Sequence, residues 1–395
     1  MTSRRGRATR GLMWLHFTPK PRLRQFDRDD RPFLLCLLAL ALVSFGFGPP
    51  VITDGGYPPV RLYPDQIEKM RNAEQSPQIS AAAAAVYDVD AGRTLYSYHS
   101  HEPTPPASTA KIMTALVVLQ RAGLADQVAV SSKAAATTGS RMGLAPGEKL
   151  SVEQLLYGLL IPSGNDAAVA LAEHVAGSET AFVDLMNQTA AGMHLEATRF
   201  ANPHGLDVAN QQVSAGDMIS MTLAALKYPA FVQIVKTAKT NIAGHTLVNT
   251  NELLGAYPGA DGIKTGTTDA AGECLVASAS RGGHRLLVIV LGSKDRYADA
   301  KALLNFAAAG WSWRPIDLPD NALAWEVGGD GQAYRLAPDG TPDLFLPAWQ
   351  WPLVQPVRVI FPGVPLTGTL PVGVLRYQFG GQLLGTVPLR VLPSP

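Results

Sequence analysis

Cysteine and charged residues are scarce in this sequence. It contains 2 cysteines among 395 residues, and 16% of its residues are charged against 47% that are hydrophobic. The low charge indicates a globular chain rather than a disordered one. Cys36 lies in an apolar segment and Cys274 in a predicted strand, so we expect no disulfide. The fold must therefore depend on its hydrophobic core.

Most of the chain also lacks an excess of positive charge. Residues 1–31 carry nine Lys or Arg and three Asp, a balance of +6, whereas the whole chain has a net charge of +1. The remaining 364 residues therefore balance at −5. Such a surface is a poor match for a phosphate backbone, and we expect no nucleic-acid partner.

A basic arm at 1–32 precedes sixteen uncharged and mostly apolar residues at 33–48. This order is typical of an export signal whose positive arm stays in the cytoplasm, and a buried core helix is the alternative. Pro49 and Pro50 follow at once, and proline lacks the backbone N–H that an extended protease substrate offers. We therefore expect residues 33–50 to be an uncleaved membrane anchor, with a cleaved signal sequence as the alternative. The rest of the chain would lie outside the cytoplasm, in the cell envelope.

Proline and glycine divide the remainder of the chain. Residues 51–78 are rich in both and predict an extended linker. From 79 to 312, predicted strands stand at both ends of a helical block, which suits an antiparallel sheet with helices packed beside it. Residues 313–395 have many prolines, few helix formers and short apolar runs, and they predict a small all-β domain.

Ser108 and Lys111 stand three residues apart at the start of a predicted helix that ends near Gly123. This spacing places both side chains on one face, and the apolar run that follows indicates a buried helix. A serine beside a buried, neutral lysine is a candidate nucleophile with its base. A serine at a helix start beside a surface lysine is the common alternative, and the pair alone does not decide between them.

Two further motifs complete the set. Ser163-Gly164-Asn165 lies between two predicted helices, the first of which opens with the capping-box spacing of Ser151 and Gln154. Lys264-Thr265-Gly266-Thr267 lies in a predicted strand, and the three motifs start 55 and 101 residues apart. Ser-x-x-Lys, Ser-x-Asn and Lys-Thr-Gly in this order are the signatures of the penicillin-recognising serine acyl enzymes.

The surrounding sequence extends this resemblance. With stretches such as Phe182-Val-Asp-Leu-Met-Asn187 and Asn202-Pro-His-Gly-Leu206, the chain resembles the low-molecular-mass penicillin-binding proteins, which are serine-type D-alanyl-D-alanine carboxypeptidases. The similarity covers about residues 79–310, and the β domain after it is similar to the C-terminal domain of that family. It implies an α+β, β-lactamase-like transpeptidase fold with an antiparallel sheet, a helical subdomain and a small C-terminal all-β domain.

The resemblance also implies an activity. The chain would remove the terminal D-alanine from peptidoglycan stem peptides that end in D-Ala-D-Ala, through an acyl-enzyme that β-lactams also form as covalent inhibitors. Ser108 would be the nucleophile, and Lys111 would be its base, made neutral by burial and by the neighbouring Lys264. Ser163 would relay a proton to the leaving amine, and Asn165 would position Lys111 and the substrate amide.

The Lys-Thr-Gly strand would bind the substrate. By the same resemblance Lys264 and Thr265 would hold the terminal carboxylate, and Gly266 and Thr267 would complete the binding strand. The backbone N–H groups of Ser108 and Thr267 would form the oxyanion hole, worth roughly 3 kcal/mol per donor. We expect no metal and no cofactor.

Several residues leave alternatives open. Arg296 either adds positive charge to the site or lies on a helix surface. Many relatives have an arginine where this chain has Gly216, so one cationic support is expected to be missing. A β-lactamase would need a water-activating glutamate, for which Glu196 is the nearest candidate and lacks a convincing context. D,D-endopeptidase activity on cross-linked peptides, or a penicillin-binding sensor or scaffold that scarcely turns over, also stay open.

Histidines contribute little to this interpretation. His99, His101 and Glu102 have a spacing that metal ligands use, but no partner cluster appears elsewhere in the sequence. We interpret them as the polar end of a hairpin. We expect His204, in the Asn-Pro-His-Gly-Leu stretch, to have a structural role.

Overall fold

The structure is a computed structural model that describes residues 51–53, 63, 66, 76–315, 322–340, 343–366 and 370–392. The predicted basic arm and membrane anchor, Cys36 and most of the predicted linker lie outside these residues. Within the described part, no single helix is long and apolar enough to cross a membrane. One pair, Ala215–Ala225 with Pro229–Val235, meets the criteria of length and composition jointly, but it is bent by 113°.

Eight α-helices occur in the described residues. They are α1 Lys111–Arg121, α2 Ser132–Ala135, α3 Val152–Leu160, α4 Asn165–Ala176, α5 Glu179–Gly192, α6 Ala215–Ala225, α7 Pro229–Val235 and α8 Arg296–Gly310. Short 3-10 turns cover Ala107–Ala110, Ala322–Ala324 and Trp351–Leu353.

Seventeen strands accompany them in the same part of the chain. They are β1 Val51–Thr53, β2 Ala83–Asp88, β3 Arg93–Tyr98, β4 Gln127–Ala129, β5 Lys149–Ser151, β6 Lys239–Ile242, β7 His245–Val248, β8 Ala260–Thr268, β9 Gly272–Arg281, β10 His284–Ser293, β11 Trp311–Pro315, β12 Trp325–Val327, β13 Ala333–Pro338, β14 Asp343–Pro347, β15 Gln355–Ile360, β16 Gly373–Phe379 and β17 Gln382–Val391.

An antiparallel five-stranded sheet organises the larger unit. Its strand order is β3-β2-β10-β9-β8, so the first strands of the unit pair with strands about two hundred residues later. Successive side chains of β10 point to opposite faces of the sheet, so they belong to two different apolar clusters. Val288 and Val290 belong to the apolar cluster that includes α8. Leu287 and Ile289 belong to the larger cluster formed with the helical block.

The α+β fold class predicted from the sequence is confirmed in these elements. A second sheet, with the order β1-β15-β16-β17-β13-β12, forms a separate all-β region. Its own small core is centred on the fully buried Leu375, Tyr377 and Leu389. The domain boundaries drawn from the sequence stay a prediction.

Residues 51–53 add an element that the sequence did not indicate. They lie in the segment predicted as an extended linker, yet as β1 they pair antiparallel with residues 358–360 of β15. The start of the described chain therefore lies at an edge of the C-terminal sheet. Residues 249–254 of the larger unit, between β7 and β8, were likewise assigned no role from the sequence, and they contribute to the site described below.

Local sequence explains the helix that follows β5. The Ser151 hydroxyl accepts a hydrogen bond from the Gln154 amide, and the Gln154 side chain accepts one from the Ser151 amide. This reciprocal capping box satisfies two donors that a helix start leaves unpaired. The predicted helix that opens at Ser151 and runs through Leu160 is confirmed, and it begins directly after β5.

Candidate active site

Ser108 lies in a 3-10 turn rather than at the start of an α-helix. The predicted helix divides into a 3-10 turn at Ala107–Ala110 and α1, which begins at Lys111. Residues three apart eclipse one another in a 3-10 turn, so the Ser108 and Lys111 side chains meet. Lys111 Nζ lies 2.8 Å from Ser108 Oγ. The residue before the nucleophile, Ala107, has φ +46°, a conformation that is uncommon for any residue except glycine.

Lys111 is completely buried. Its pKa is lowered well below its ordinary value, first by burial and then by the charge of Lys264, while Asp166 opposes the shift. The predicted burial of Lys111 is confirmed, and the direction of its pKa shift agrees with the predicted neutral lysine. Such a group is predisposed to be the neutral amine that a serine nucleophile needs as its base.

Three oxygens surround the Lys111 amine. Besides Ser108 Oγ, the amine contacts Asn165 Oδ1 at 2.7 Å and the backbone carbonyl of His204 at 2.6 Å. Asn165 Nδ2 donates to the Thr138 carbonyl at 2.7 Å, and this bond fixes which end of the Asn165 amide faces the lysine. The amide and carbonyl oxygens can only accept hydrogen bonds, whereas the Ser108 hydroxyl can also donate one.

This geometry orients the lone pair of the neutral amine. A neutral amine keeps two hydrogens, and two of its three neighbours are obligate acceptors. When both hydrogens are used on Asn165 Oδ1 and the His204 carbonyl, the lone pair faces Ser108 Oγ. The three contacts thus direct the lone pair of a neutral Lys111 at Ser108 Oγ.

Ser163 lies in the turn between α3 and α4 and lines the cleft together with Ser108. Its φ of +65° is again unusual for a residue other than glycine. Ser163 Oγ is buried and lacks a hydrogen-bond partner among the described residues. A buried hydroxyl without a partner is uncommon in folded proteins, and this one lines the same cleft as Ser108.

The loop at residues 138–148 forms one rim of the cleft, and the buried carboxylate of Asp166 holds it. Asp166 accepts hydrogen bonds from the amides of Met142, Gly143 and Leu144, at 2.9, 2.8 and 3.1 Å. Asp166 follows Asn165 directly, so one segment positions both the amide at Lys111 and the loop that carries Ser140 into the cleft.

The Lys-Thr-Gly strand is the opposite wall. It is β8, an edge strand of the five-stranded sheet. An ideal Cβ on Gly266 would lie 2.8 Å from the Ser108 amide nitrogen and 2.9 Å from Ala107 Cβ. Only glycine allows this close approach of strand and nucleophile. Thr265 Oγ1 lies 2.6 Å from Thr250 Oγ1, in the segment between β7 and β8.

Lys264 is as buried as Lys111, with 1% of its surface exposed. Burial, and secondarily the charge of Arg296, lower the pKa of Lys264 to about 7. Lys264 Nζ donates to the Thr265 carbonyl at 2.8 Å. The two buried lysines lie close enough for Lys264 to lower the pKa of Lys111.

Arg296 contributes a cation to the cleft. It is 8% exposed, and its guanidinium donates to the Gly266 carbonyl at 2.8 Å and to Thr267 Oγ1. Glu273 holds it from the side, with Oε2 at 3.2 Å from Nε. The alternative that Arg296 lies on a helix surface is wrong. Arg296 is the first residue of α8, and its buried guanidinium contacts β8.

Gly216 and Glu196 lie elsewhere. The Gly216 amide donates to the Ser100 carbonyl at 2.7 Å, and Gly216 is not among the residues that line the described cleft. Glu196 is exposed in a turn and is also not among them. The structure therefore gives Glu196 no role as a water-activating base.

The cleft has a volume of ≈ 290 Å³ and contains more of the chain than the sequence motifs indicated. Ser140, Thr250, Glu252 and Tyr297 line it without any prior signal in the sequence. The His204 carbonyl was also missed, because a backbone group leaves no trace in a residue pattern. Cys274 is a buried core residue, as predicted, and burial raises the pKa of its thiol to about 11.

Comparison with known proteins agrees with this geometry. A sequence model of the D-alanyl-D-alanine carboxypeptidase family matches residues 70–295. The D-alanyl-D-alanine carboxypeptidase DacA of Escherichia coli is 34% identical over 342 residues, which cover 80% of this chain and 84% of that protein. The chain belongs to the D-alanyl-D-alanine carboxypeptidase family.

Other family members extend the comparison. The carboxypeptidase DacF of Bacillus subtilis is 39% identical over 249 residues, which cover 60% of this chain and 64% of DacF. The crystal structure of penicillin-binding protein 6B from Escherichia coli matches with a TM-score of 0.63 and 29% identity, over 80% of this chain and 96% of that chain. The predicted family, fold class and serine-hydrolase type are confirmed: this chain is a hydrolase of the carboxypeptidase family with a penicillin-binding protein fold.

Proposed function

We propose that this chain removes the terminal D-alanine from peptidoglycan stem peptides ending in D-Ala-D-Ala, through an acyl-enzyme on Ser108. The observation that carries the proposal is the set of three contacts at Lys111 Nζ, two to obligate acceptors and one to the Ser108 hydroxyl. They aim the base at the nucleophile without a histidine or an aspartate.

The reaction proceeds in two balanced halves. Lys111 takes the Ser108 proton as Oγ attacks the carbonyl between the two D-alanines, and the C–N bond then breaks. The departing amine receives a proton from Lys111 by way of Ser163 Oγ, which leaves an ester on Ser108 and a free D-alanine. A water molecule gives its proton to Lys111 as it attacks the ester carbonyl. When the ester C–O bond breaks, Lys111 returns that proton to Ser108 Oγ, which frees the shortened peptide and restores neutral Lys111 and the Ser108 hydroxyl.

Positive charge and hydroxyl groups favour a substrate that ends in a carboxylate. Arg296, held by Glu273, and the buried Lys264 supply the charge, and Thr265 and Thr267 supply the hydroxyls. Hydrogen bonds to charged acceptors are about twice as strong as neutral ones. A terminal carboxylate would therefore fix the scissile bond beside Ser108.

The test uses the full-length chain in detergent and a peptide ending in Lys-D-Ala-D-Ala. The proposal predicts release of D-alanine that disappears in Ser108→Ala. Penicillin labelling without D-alanine release would indicate a sensor or scaffold, and rapid penicillin hydrolysis would indicate a β-lactamase. If the chain cleaved a cross-linked peptide faster than it releases D-alanine from the linear peptide, it would be an endopeptidase.

We also propose that the enzyme works outside the cytoplasm, tethered to the membrane by residues 33–50. The support is the basic arm followed by sixteen uncharged residues. An epitope tag at the N-terminus provides the test, since a tether keeps full-length tagged protein in the membrane fraction. Tag-free, shortened protein in the soluble envelope fraction would contradict the tether.

A further inference from the structure

We propose that Glu179 is a positioning residue for the catalytic base: it holds the His204 ring and, through the His204 carbonyl, orients Lys111. The inference rests on the proposed function, since it assigns Lys111 as the base. Glu179 opens α5 and lies outside all three sequence motifs. It approaches His204 with Oε1 at 3.6 Å from Nε2, and Lys133 of α2 approaches its other oxygen at 2.9 Å.

The carbonyl at Lys111 belongs to a loop with little freedom. Asn202 Oδ1 accepts from the Gly205 amide at 2.7 Å and from the His204 amide at 3.3 Å. Asn202 Nδ2 donates to the Leu206 carbonyl at 2.8 Å. Gly205 has φ +91°, and an ideal Cβ there would lie 1.9 Å from the Ala107 carbonyl oxygen. The loop therefore packs directly against the turn that carries the nucleophile.

The ring of His204 is part of the same hydrogen-bond network. The Leu206 amide donates to His204 Nδ1 at 3.3 Å, so Nδ1 is an acceptor. In a neutral imidazole the proton then lies on Nε2, which faces Glu179 Oε1. The interaction with His204 is the largest cause that lowers the pKa of Glu179, to about 2. Glu179 is therefore a carboxylate at neutral pH.

Removal of this carboxylate takes away the charged group that faces His204 Nε2 at 3.6 Å. The His204 ring, 9% exposed, then turns toward another acceptor. A turned ring gives up the Leu206 amide and shifts the backbone of its own residue. The His204 carbonyl then no longer fixes one of the two hydrogens on neutral Lys111, and the lone pair is less well aimed at Ser108.

The network also connects two rims of the site. Lys133 lies on α2, and α2 leads into the rim loop at 138–148, whose amides Asp166 holds. Lys133–Glu179–His204 therefore joins the start of the rim loop to the loop that faces Lys111. The ion pair of Lys133 and Glu179 thus connects α2 and α5, two helices that contain no residue of the three sequence motifs.

The experiment measures acylation of the full-length chain by a fluorescent penicillin. The maximal acylation rate and the dissociation constant of the preceding complex are determined separately for wild type, Glu179→Ala and Glu179→Gln. Asp184→Ala is the matched control, because Asp184 is an exposed carboxylate on the same helix. We expect Glu179→Ala to slow acylation about tenfold with an unchanged dissociation constant, a fraction of what a general base itself contributes.

The conservative variant separates positioning from stability. Glu179→Gln keeps an acceptor oxygen facing Nε2–H, so its acylation rate should stay within about threefold of wild type. A Glu179→Ala rate within that same range, an equal loss in Asp184→Ala, or a loss in affinity instead of rate would overturn the proposal.

A spectroscopic readout on the wild-type chain does not require activity. In ¹⁵N-histidine-labelled wild type, assigned with His204→Gln, the ring should be the Nε2–H tautomer. An Nδ1–H tautomer would refute the role of Glu179 whether or not the chain is acylated. Absent acylation of wild type by penicillin would instead contradict the proposed function.

Discussion

At the scale of single residues, the proposed function gives opposite tasks to two buried lysines. Lys111 must be neutral to accept a proton, and its surroundings lower its pKa accordingly. Lys264 must be protonated to attract a carboxylate, yet burial and Arg296 lower its pKa to about 7. Since each affects the other, the pair titrates in steps that belong to both.

The pH dependence of kcat/KM follows from the lowered pKa values of the two lysines and from the protonation state that each must have. As pH rises, Lys111 loses its proton and becomes a competent base, so activity increases. As pH rises through about 7, Lys264 of the free enzyme loses its charge and carboxylate binding weakens, which lowers activity. We expect a bell-shaped profile, measured by D-alanine release from a stem peptide analogue.

Lys264→Arg is the informative variant for this profile. A guanidinium stays protonated over the whole accessible pH range, so the alkaline fall should move to higher pH while the acid limb remains. An alkaline limb that stays in place in Lys264→Arg would show that another group causes it.

The burial of Lys111 was predictable from the apolar residues that follow it, and its contacts with Ser108 and Asn165 were expected from the resemblance, but its third partner was not. Side-chain spacing along the sequence contains no information on the His204 carbonyl, which arrives from a loop 93 residues away. The positive φ of Ser163 is likewise a tertiary effect, since serine does not favour that conformation by itself.

At the scale of elements, the site depends on how closely β8 approaches the 3-10 turn of Ser108. Gly266→Ala would place a Cβ 2.8 Å from the Ser108 amide nitrogen, a distance that forces strand and turn apart. A displacement of about 1 Å at a reacting group costs on the order of 10²-fold in rate. We therefore expect Gly266→Ala to slow penicillin acylation by about that factor.

Gly192→Ala is the matched control. Gly192 lies in α5, and an added Cβ there meets nothing within 4 Å. This variant should acylate like wild type and be slightly more stable. A Gly266→Ala rate within threefold of wild type would contradict the close approach of β8 to the nucleophile.

Elements with a strong local signal were predictable. The capping box of α3, and the apolar runs of β9 and β10 separated by the turn at 281–283, lie in the sequence itself, and these elements were placed to within two residues. The β6–β7 hairpin and α7 were missed, because polar residues in the hairpin and the proline at the start of α7 resemble a loop. Their formation depends on packing against the rest of the molecule.

At the scale of the whole molecule, aromatic side chains join the five-stranded sheet to β11, which pairs with β14 in a separate two-stranded sheet. Trp313 of β11 stacks on His284 of β10, with ring centroids 4.5 Å apart and planes inclined by 7°. Arg93 of β3 lies over Trp311 at 4.6 Å from the ring centroid. The order of strands in either sheet could not be read from the sequence, since it depends on pairings such as β2 with β10 across the helical block.

Trp313→Ala should destabilise the molecule without changing its chemistry. Loss of a half-buried indole costs about 2 kcal/mol of unfolding free energy, somewhat less than for a fully buried one. Denaturant unfolding provides the measurement, and penicillin acylation should stay within twofold of wild type.

Trp325→Ala, at a tryptophan 46% exposed, is the control and should change stability by no more than about 0.5 kcal/mol. A large loss of acylation in Trp313→Ala would mean that the junction supports the active site.

The most direct test of the account is to map the residue that an acyl donor modifies. The full-length chain is incubated with a penicillin, digested and analysed by mass spectrometry. We expect a single adduct on Ser108, which forms at least 10²-fold more slowly when Lys111→Met removes the base. An adduct on Ser163 or elsewhere, or an unchanged rate of labelling in Lys111→Met, would contradict it.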